Sequence, residues 1–247
     1  MTLARVHHLG VGLALGTLGT VFLHTTASGQ VKTLLHPMLQ PLVLGAGLCL
    51  LAAAALHFLL APPAFAPMAA PLFAKNAARD AVVVLALIAG VACAPRSFSS
   101  LALANRTSAD PTAMLRGKAA ADDAPAWQKD AGGTIHLEAV DLLMAAEKPE
   151  TIAEMEGQRV RFIGQYVPVD GESFKMTRFL MFCCAADAQP INVRINAEHG
   201  LTPLPAMAWA EVTGTVHYRE EIPGKKLPEV TLDALKTIPE PSDKFLY

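Results

Sequence analysis

Hydrophobic positions along this chain fall into two regimes. As far as about Pro95 they form long, almost unbroken runs; beyond it they alternate with polar residues or recur at helical spacing. The first run extends from Val6 to Thr25 and is interrupted only by His7, His8 and His24 near its ends. The second goes from Met38 to Ala61, with His57 as its single ionisable residue. Each is long enough for a helix to cross roughly 30 Å of hydrocarbon, which takes about 20 residues. The third, Ala81 to Pro95, is shorter, and reaches spanning length if Arg79 snorkels and Ser97–Phe98 enter the far interface. The pattern predicts a membrane domain over 1–95 with three transmembrane helices, at about 6–25, 38–60 and 79–98. A signal peptide competes for the first run because Arg5 precedes it. That apolar stretch is overlong for a leader, and Thr26-Ala27-Ser28-Gly29 is a poor cleavage site.

Residues 96–133 are rich in Ala, Asp, Ser and Pro without sustained periodicity, and read as a linker, with a short helix around Thr112–Ala121 as an option. From Thr134 to Tyr247 the pattern tightens into a soluble domain. Leu137, Val140, Leu142, Leu143 and Ala146 suit an amphipathic helix, and Ile152 with Met155 a second short turn. Five strand-like runs follow, Arg159–Val169, Ser173–Cys184, Pro190–Asn196, Ala208–Glu220 and Glu229–Ile238, separated by Gly, Pro and Asp-Gly signals. Asp170-Gly171 predicts a tight hairpin, because both residues tolerate positive φ. Gly164 and Gly214 sit in mid-strand, where glycine commonly marks a bulge or a sharp coil. The expected fold is therefore membrane α-helical in the N-terminal part and mainly β in the C-terminal domain, an OB-fold-like small barrel after one or two short helices.

Composition sharpens the division. The chain is 52% hydrophobic and 17% charged, against about 25% charged residues in average soluble domains. Nearly all the charge lies beyond Pro95. A net charge of −2 provides no basic field, and the strands lack a basic face with interleaved aromatics, so no nucleic acid is expected as a partner despite the OB-like pattern. Orientation follows from Lys and Arg near the spans. Arg5 lies before the first, Lys75 and Arg79 between the second and third, and only Lys32 between the first and second. That favours a cytoplasmic N-terminus, a multi-pass protein of the plasma (inner) membrane and an extracytoplasmic C-terminal domain; Arg96, Arg106, Arg116 and Lys118 pull the other way.

Gly12, Gly16 and Gly19 share one face of the first helix. Small residues at this spacing let helix backbones approach in lipid, either as a packing face for a partner's helix or against the chain's own second helix. The span histidines all lie close to helix ends, which fits interfacial placement. No Ser/His/Asp arrangement, paired carboxylates, P-loop or dinucleotide fingerprint is present, so no enzyme is expected. His136, His199 and His217 are scattered.

The pointed chemistry is in "RFLMFCCAADAQP", Arg178 to Pro190. Cys183 and Cys184 with Asp187 are candidate ligands of a divalent metal ion such as zinc, which takes thiolate sulfur and carboxylate oxygen. Within a strand, adjacent side chains point to opposite faces, so a shared ion requires the strand to end or bulge there. A vicinal disulfide or thiol relay is a second option. A structural role, with one cysteine in the core and Asp187 accepting backbone N–H bonds in a turn, is the third.

Taken together, the apolar N-terminal spans, "RFLMFCCAADAQP", "WAEVTGTVHY", "LPEVTLDALKTI" and the closing "PEPSDKFLY" resemble the YcgQ-like family of permease subunits, most strongly from Gly157 to Tyr247. The resemblance implies an accessory subunit of a YcgR-type permease, in contact with membrane lipid, its extracytoplasmic domain binding a ligand or gating access in metal-related transport. Members associated with metals can carry a His-rich loop between the second and third spans; here that loop, "APPAFAPMAAPLFAKNAARD", has no His. A membrane-tethered thiol or metal-binding protein and a structural envelope interaction protein are the alternative expectations.

Overall fold

The structure is a computed structural model that describes residues 3–60, 81–90, 92, 103, 127, 129–197 and 203–247. The chain divides into two compact units, one of residues 1–97 together with 183–186, the other of 98–182 and 187–247.

In the first unit, helix α1 (Leu3–Ala27) leads through a single turn, α2 (Val31–Leu34), and a 3-10 turn (Pro37–Leu39) into α3 (Gln40–Leu59). The windows Gly10–Ala27 and Pro37–Leu59, with mean hydropathies of 1.2 and 2.3, are long and apolar enough to cross a membrane. The helices run antiparallel. A Cβ added at Gly12 would meet the Phe58 ring, at Gly16 the Ala54 methyl group, and at Gly19 the Gly47 carbonyl oxygen and Leu51. The glycine face is thus packed against the chain's own α3, one of the two occupants the sequence left open. Thr17 and Thr20 return their hydroxyls to the carbonyls of Leu13 and Gly16, 2.8 Å each, so α1 carries them without stranded donors. Leu42, Leu48, Leu56 and Leu59 point outward, an apolar surface suited to lipid and costly in water. Of the expected third span, the described part is a ten-residue helix α4, Ala81–Gly90, too short to cross. The rest of that span, the 61–80 loop and nearly all of the 96–133 linker lie outside the described residues.

In the second unit, five strands close a barrel: β2 (Arg159–Pro168), β3 (Ser173–Leu180), β4 (Gln189–Asn196), β5 (Trp209–Ile222) and β6 (Lys225–Thr237). Around the barrel the order is β2-β3-β4-β6-β5 and back to β2; β4 and β6 run parallel and every other pair is antiparallel. Closure leaves no unpaired barrel edge. Two-residue strands extend the sheet: β1 (Ile135–His136) beside β2, and β7 (Phe245–Leu246) beside β3.

Two short helices precede the barrel as expected, α5 (Ala139–Ala145) and α6 (Pro149–Met155). Glu138 and Asp141 form a reciprocal capping box at the start of α5, and Pro149 sits in the first turn of α6. Leu142, Leu143 and Met155 from these helices join Val160, Phe162, Tyr166, Phe174, Met176, Val193 and Val216 in one core. Trp127 packs at its margin.

Gly214 marks a bulge in β5, as its mid-strand position predicts, with a register shift between Thr213 and Gly214. The hairpin expected at Asp170-Gly171 is present between antiparallel β2 and β3, but its turn is longer than the two-residue type. Val169–Glu172 form a four-residue loop, and Gly171 is not among the positive-φ residues. The Asp170 carboxylate organises it by accepting from the Glu172 amide, the Ser173 amide and the Ser173 hydroxyl at 3.0, 2.6 and 2.8 Å. These bonds, the Ser173 hydroxyl foremost, hold the Asp170 carboxyl below its ordinary range.

Candidate metal centre

The sequence expectation that β3 continues to Cys184 is corrected by the structure: the strand stops at Leu180. The physical reason lies in the next residues. Met181 is fully buried and its amide bonds to the Leu246 carbonyl, 2.9 Å, where β7 ends. The Phe182 amide then turns to the Asp187 Oδ1 carboxylate oxygen, 3.0 Å. A side-chain acceptor replaces a strand partner, and the chain leaves the ladder. Met181–Ala188 is consequently a loop between β3 and β4, and the alternation that would send adjacent cysteines to opposite faces no longer holds.

Within this loop the two cysteine sulfurs lie 3.6 Å apart. With an Asp187 carboxylate oxygen they form a group whose ligand atoms are all within 4.8 Å of one another. Cys183 is exposed, and Cys184 and Asp187 are half-buried. Neither cysteine is in the barrel core, so that part of the structural expectation does not hold, although Asp187 does accept a backbone N–H.

The donor set fits a tetrahedral thiophilic ion. With Zn–S bonds of about 2.3 Å, a 3.6 Å sulfur separation corresponds to an S–Zn–S angle of about 103°, close to tetrahedral. As ligands, two thiolates and a carboxylate would carry three negative charges, which a divalent cation offsets. Three such ligands would leave a fourth tetrahedral position to water or another molecule, as exchangeable sites do.

The loop backbone is held as well. The Cys183 carbonyl accepts from the His36 amide at 3.0 Å, the Ala185 amide donates to the Leu34 carbonyl at 2.8 Å, and Leu35 pairs antiparallel with Cys184. Nothing in the sequence pattern of 34–36 signals this pairing. A single bridge has no periodicity to read, and its partner lies far along the chain.

The remaining histidines go elsewhere. His217 pairs with Glu156 at 2.9 Å and His136 with Asp130 at 3.2 Å, both on the barrel surface. His199 lies outside the described residues. Arg178, which opens the cysteine motif, is buried and bonds the Glu138 carboxylate and the Asp243 carbonyl, joining the first helix of the domain to its last segment.

Comparison with solved structures gives remote likenesses. A DUF3299 family protein from Pseudomonas aeruginosa PAO1 matches with 12% identity and a TM-score of 0.28 over 39% of this chain and 72% of its own. A replication protein A heterotrimer bound to ssDNA matches with 9% identity and a TM-score of 0.22 over 34% of this chain and 58% of its own. Asparaginyl-tRNA synthetase from Pyrococcus horikoshii matches with 17% identity and a TM-score of 0.25 over 42% of this chain and 24% of its own. At these TM-scores the likenesses carry no argument about fold or ligand. No curated protein matches this chain. Among family models, the DUF1980 C-terminal domain matches residues 135–247, the span that holds the barrel and the Cys183–Cys184 loop.

Proposed function

We propose that this chain is a membrane-anchored accessory protein that binds a thiophilic divalent ion, with zinc as the reference case, through Cys183, Cys184 and Asp187. The observation that carries the reading is the convergence of two thiols and a carboxylate within 4.8 Å on one exposed loop. Ionised together, two thiolates and a carboxylate this close would repel one another, and a divalent ion offsets that repulsion. The barrel's strand order, with β4 and β6 parallel, supports an OB-fold scaffold. The site sits on the loop between its second and third barrel strands, not on a basic nucleic-acid face.

The reading extends to topology and partner. With a third crossing over about 79–98, longer than α4 itself, and the Lys and Arg placement near the spans, the N-terminus would be cytoplasmic and the barrel extracytoplasmic. Resemblance to YcgQ-like subunits supports association with a YcgR-type permease, to which the loop would offer or from which it would accept the ion. In this reading the protein catalyses nothing; its work is to hold and release a ligand.

Zinc titration of the full chain in detergent micelles, in competition with a chromophoric chelator, tests it. One equivalent should bind, Cys183→Ser and Cys184→Ser should each lower affinity at least 100-fold, and Asp187→Asn about tenfold, in keeping with the strength of thiolate over carboxylate ligation. A wild-type chain that cannot compete with the chelator, or serine variants that bind as it does, would end the proposal.

A further inference from the structure

The peptide unit between the two cysteines has one carbonyl, that of Cys183, and it is the acceptor for the His36 amide. On the other side of Cys184, the Ala185 amide is held by the Leu34 carbonyl. The backbone of Cys184 is therefore fixed on both flanks by three residues of the α1–α3 connection. Side-chain direction follows backbone orientation, so this pairing fixes where both Cβ atoms point and keeps the sulfurs on one side. We infer that Leu34–His36 is a positioning strap for the thiol pair, and that ion binding at Cys183 and Cys184 depends on the backbone N–H of His36. This inference rests on the metal-binding reading above and adds to it a dependence on residues that touch no ion.

The strap is itself held. The His36 ring Nδ1 accepts from the Met38 amide at 3.2 Å, and the Gln40 side chain donates to the Leu35 carbonyl at 3.1 Å at the start of α3. Val31 and Thr33, on the preceding turn, are buried. An exposed loop tip would otherwise sample many rotamer and backbone states, each diluting the chelating one. Pre-organisation of this kind is read out as affinity, because the ordering cost is met in folding and not in binding.

The backbone geometry permits a clean test. His36 has φ −54° and ψ 142°, and Leu35 before it has φ −138° and ψ 143°. Both values suit a proline at position 36, whose ring needs φ near about −65° and an extended residue before it. His36→Pro therefore removes the N–H donor to Cys183 with the chain path retained, while His36→Ala keeps the donor and removes only the imidazole.

The experiment uses the full chain in detergent micelles with zinc and, as a spectroscopic probe, cobalt(II). His36→Pro should weaken zinc binding about five- to tenfold relative to His36→Ala, the effect of one neutral hydrogen bond. It should also lower the sulfur-to-cobalt charge-transfer band from the intensity of two thiolates towards that of one. His36→Ala, which keeps that donor and loses the ring that caps the Met38 amide, should stay closer to the wild type than His36→Pro in both. Because a proline variant can fail by misfolding, wild-type amide exchange provides a second measurement: exchange at His36 and Ala185 should slow severalfold on zinc loading. Equal affinity and equal cobalt spectra for the two variants, or exchange at both amides that ignores zinc, would overturn the strap while leaving the metal site intact. A wild-type chain that binds neither ion would overturn both.

Discussion

A Cβ placed on Gly214 would lie 2.2 Å from the carbonyl oxygen of Thr231, well inside contact distance of a backbone atom on the neighbouring strand. Only a residue without a side chain lets β5 and β6 approach so closely, and the register shift at Thr213–Gly214 is the geometric result. Because the obstacle is backbone, no rotamer change relieves it. Gly214→Ala should destabilise the barrel by about 3 kcal/mol, at the upper end of overpacking costs. Denaturant unfolding followed by near-UV circular dichroism would register this as a lower midpoint. A midpoint equal to that of the wild type would mean that the strands separate at little cost.

Arg178 shows how the ends of the domain are tied together. Its guanidinium is buried, while its partner Glu138 is half-exposed at the N-terminus of α5, and the Asp243 carbonyl takes a second donor. Loss of the arginine removes both bonds and the space its buried side chain fills. Arg178→Ala should cost about 1–3 kcal/mol, from lost packing and hydrogen bonds, since the half-exposed Glu138 carboxylate can turn to water. Glu138→Gln, which keeps a hydrogen-bond acceptor, should cost much less. Equal losses from the two would show that charge, and not the filled and bonded site, sets the cost.

Tyr218 gives the barrel an alkaline limit. Its hydroxyl donates to the Leu142 carbonyl at 3.2 Å, and burial, aided by the Glu156 carboxylate, pushes its phenol well above the ordinary 10.0. A folded-state value above the unfolded one means the contribution is fully present below about pH 10 and is lost as pH rises past it. Above that point stability should fall by up to about 1.4 kcal/mol per pH unit from this group. Tyr218→Phe should be about 1 kcal/mol less stable at neutral pH and should show a shallower alkaline decline. An unchanged alkaline slope would assign the decline to other groups.

The architecture was legible in the sequence wherever burial imposes a period. The alternation in Arg159–Val169 and the apolar spacing of Val140, Leu142 and Leu143 placed β2 and α5 close to their observed bounds, and Gly214 signalled its bulge. Strand β3 was overextended because Phe179, Leu180, Met181 and Phe182 continue an apolar run, although the Asp187 carboxylate takes the Phe182 amide out of the ladder. The signal for that stop is the Ala-Ala-Asp-Ala after the cysteines, which reads as a turn but does not say where the turn begins. Strands β1 and β7 have two residues each and carry no alternation. Cys183, Cys184 and Asp187 were named from residue type alone. Their convergence depends on the strand end and on the strap at Leu34–His36, both set by contacts that local pattern cannot encode.

The central claim is that two adjacent thiols bind one ion, and the ligand shell of that ion is the direct observable. Zinc K-edge X-ray absorption on the full chain loaded with one equivalent of zinc would count the sulfur ligands and measure their distance. The account predicts two sulfurs at about 2.3 Å and lighter oxygen or nitrogen ligands at about 2.0–2.2 Å, with one sulfur lost in Cys183→Ser. A shell of oxygen and nitrogen alone, or a sulfur count that does not change in that variant, would contradict it.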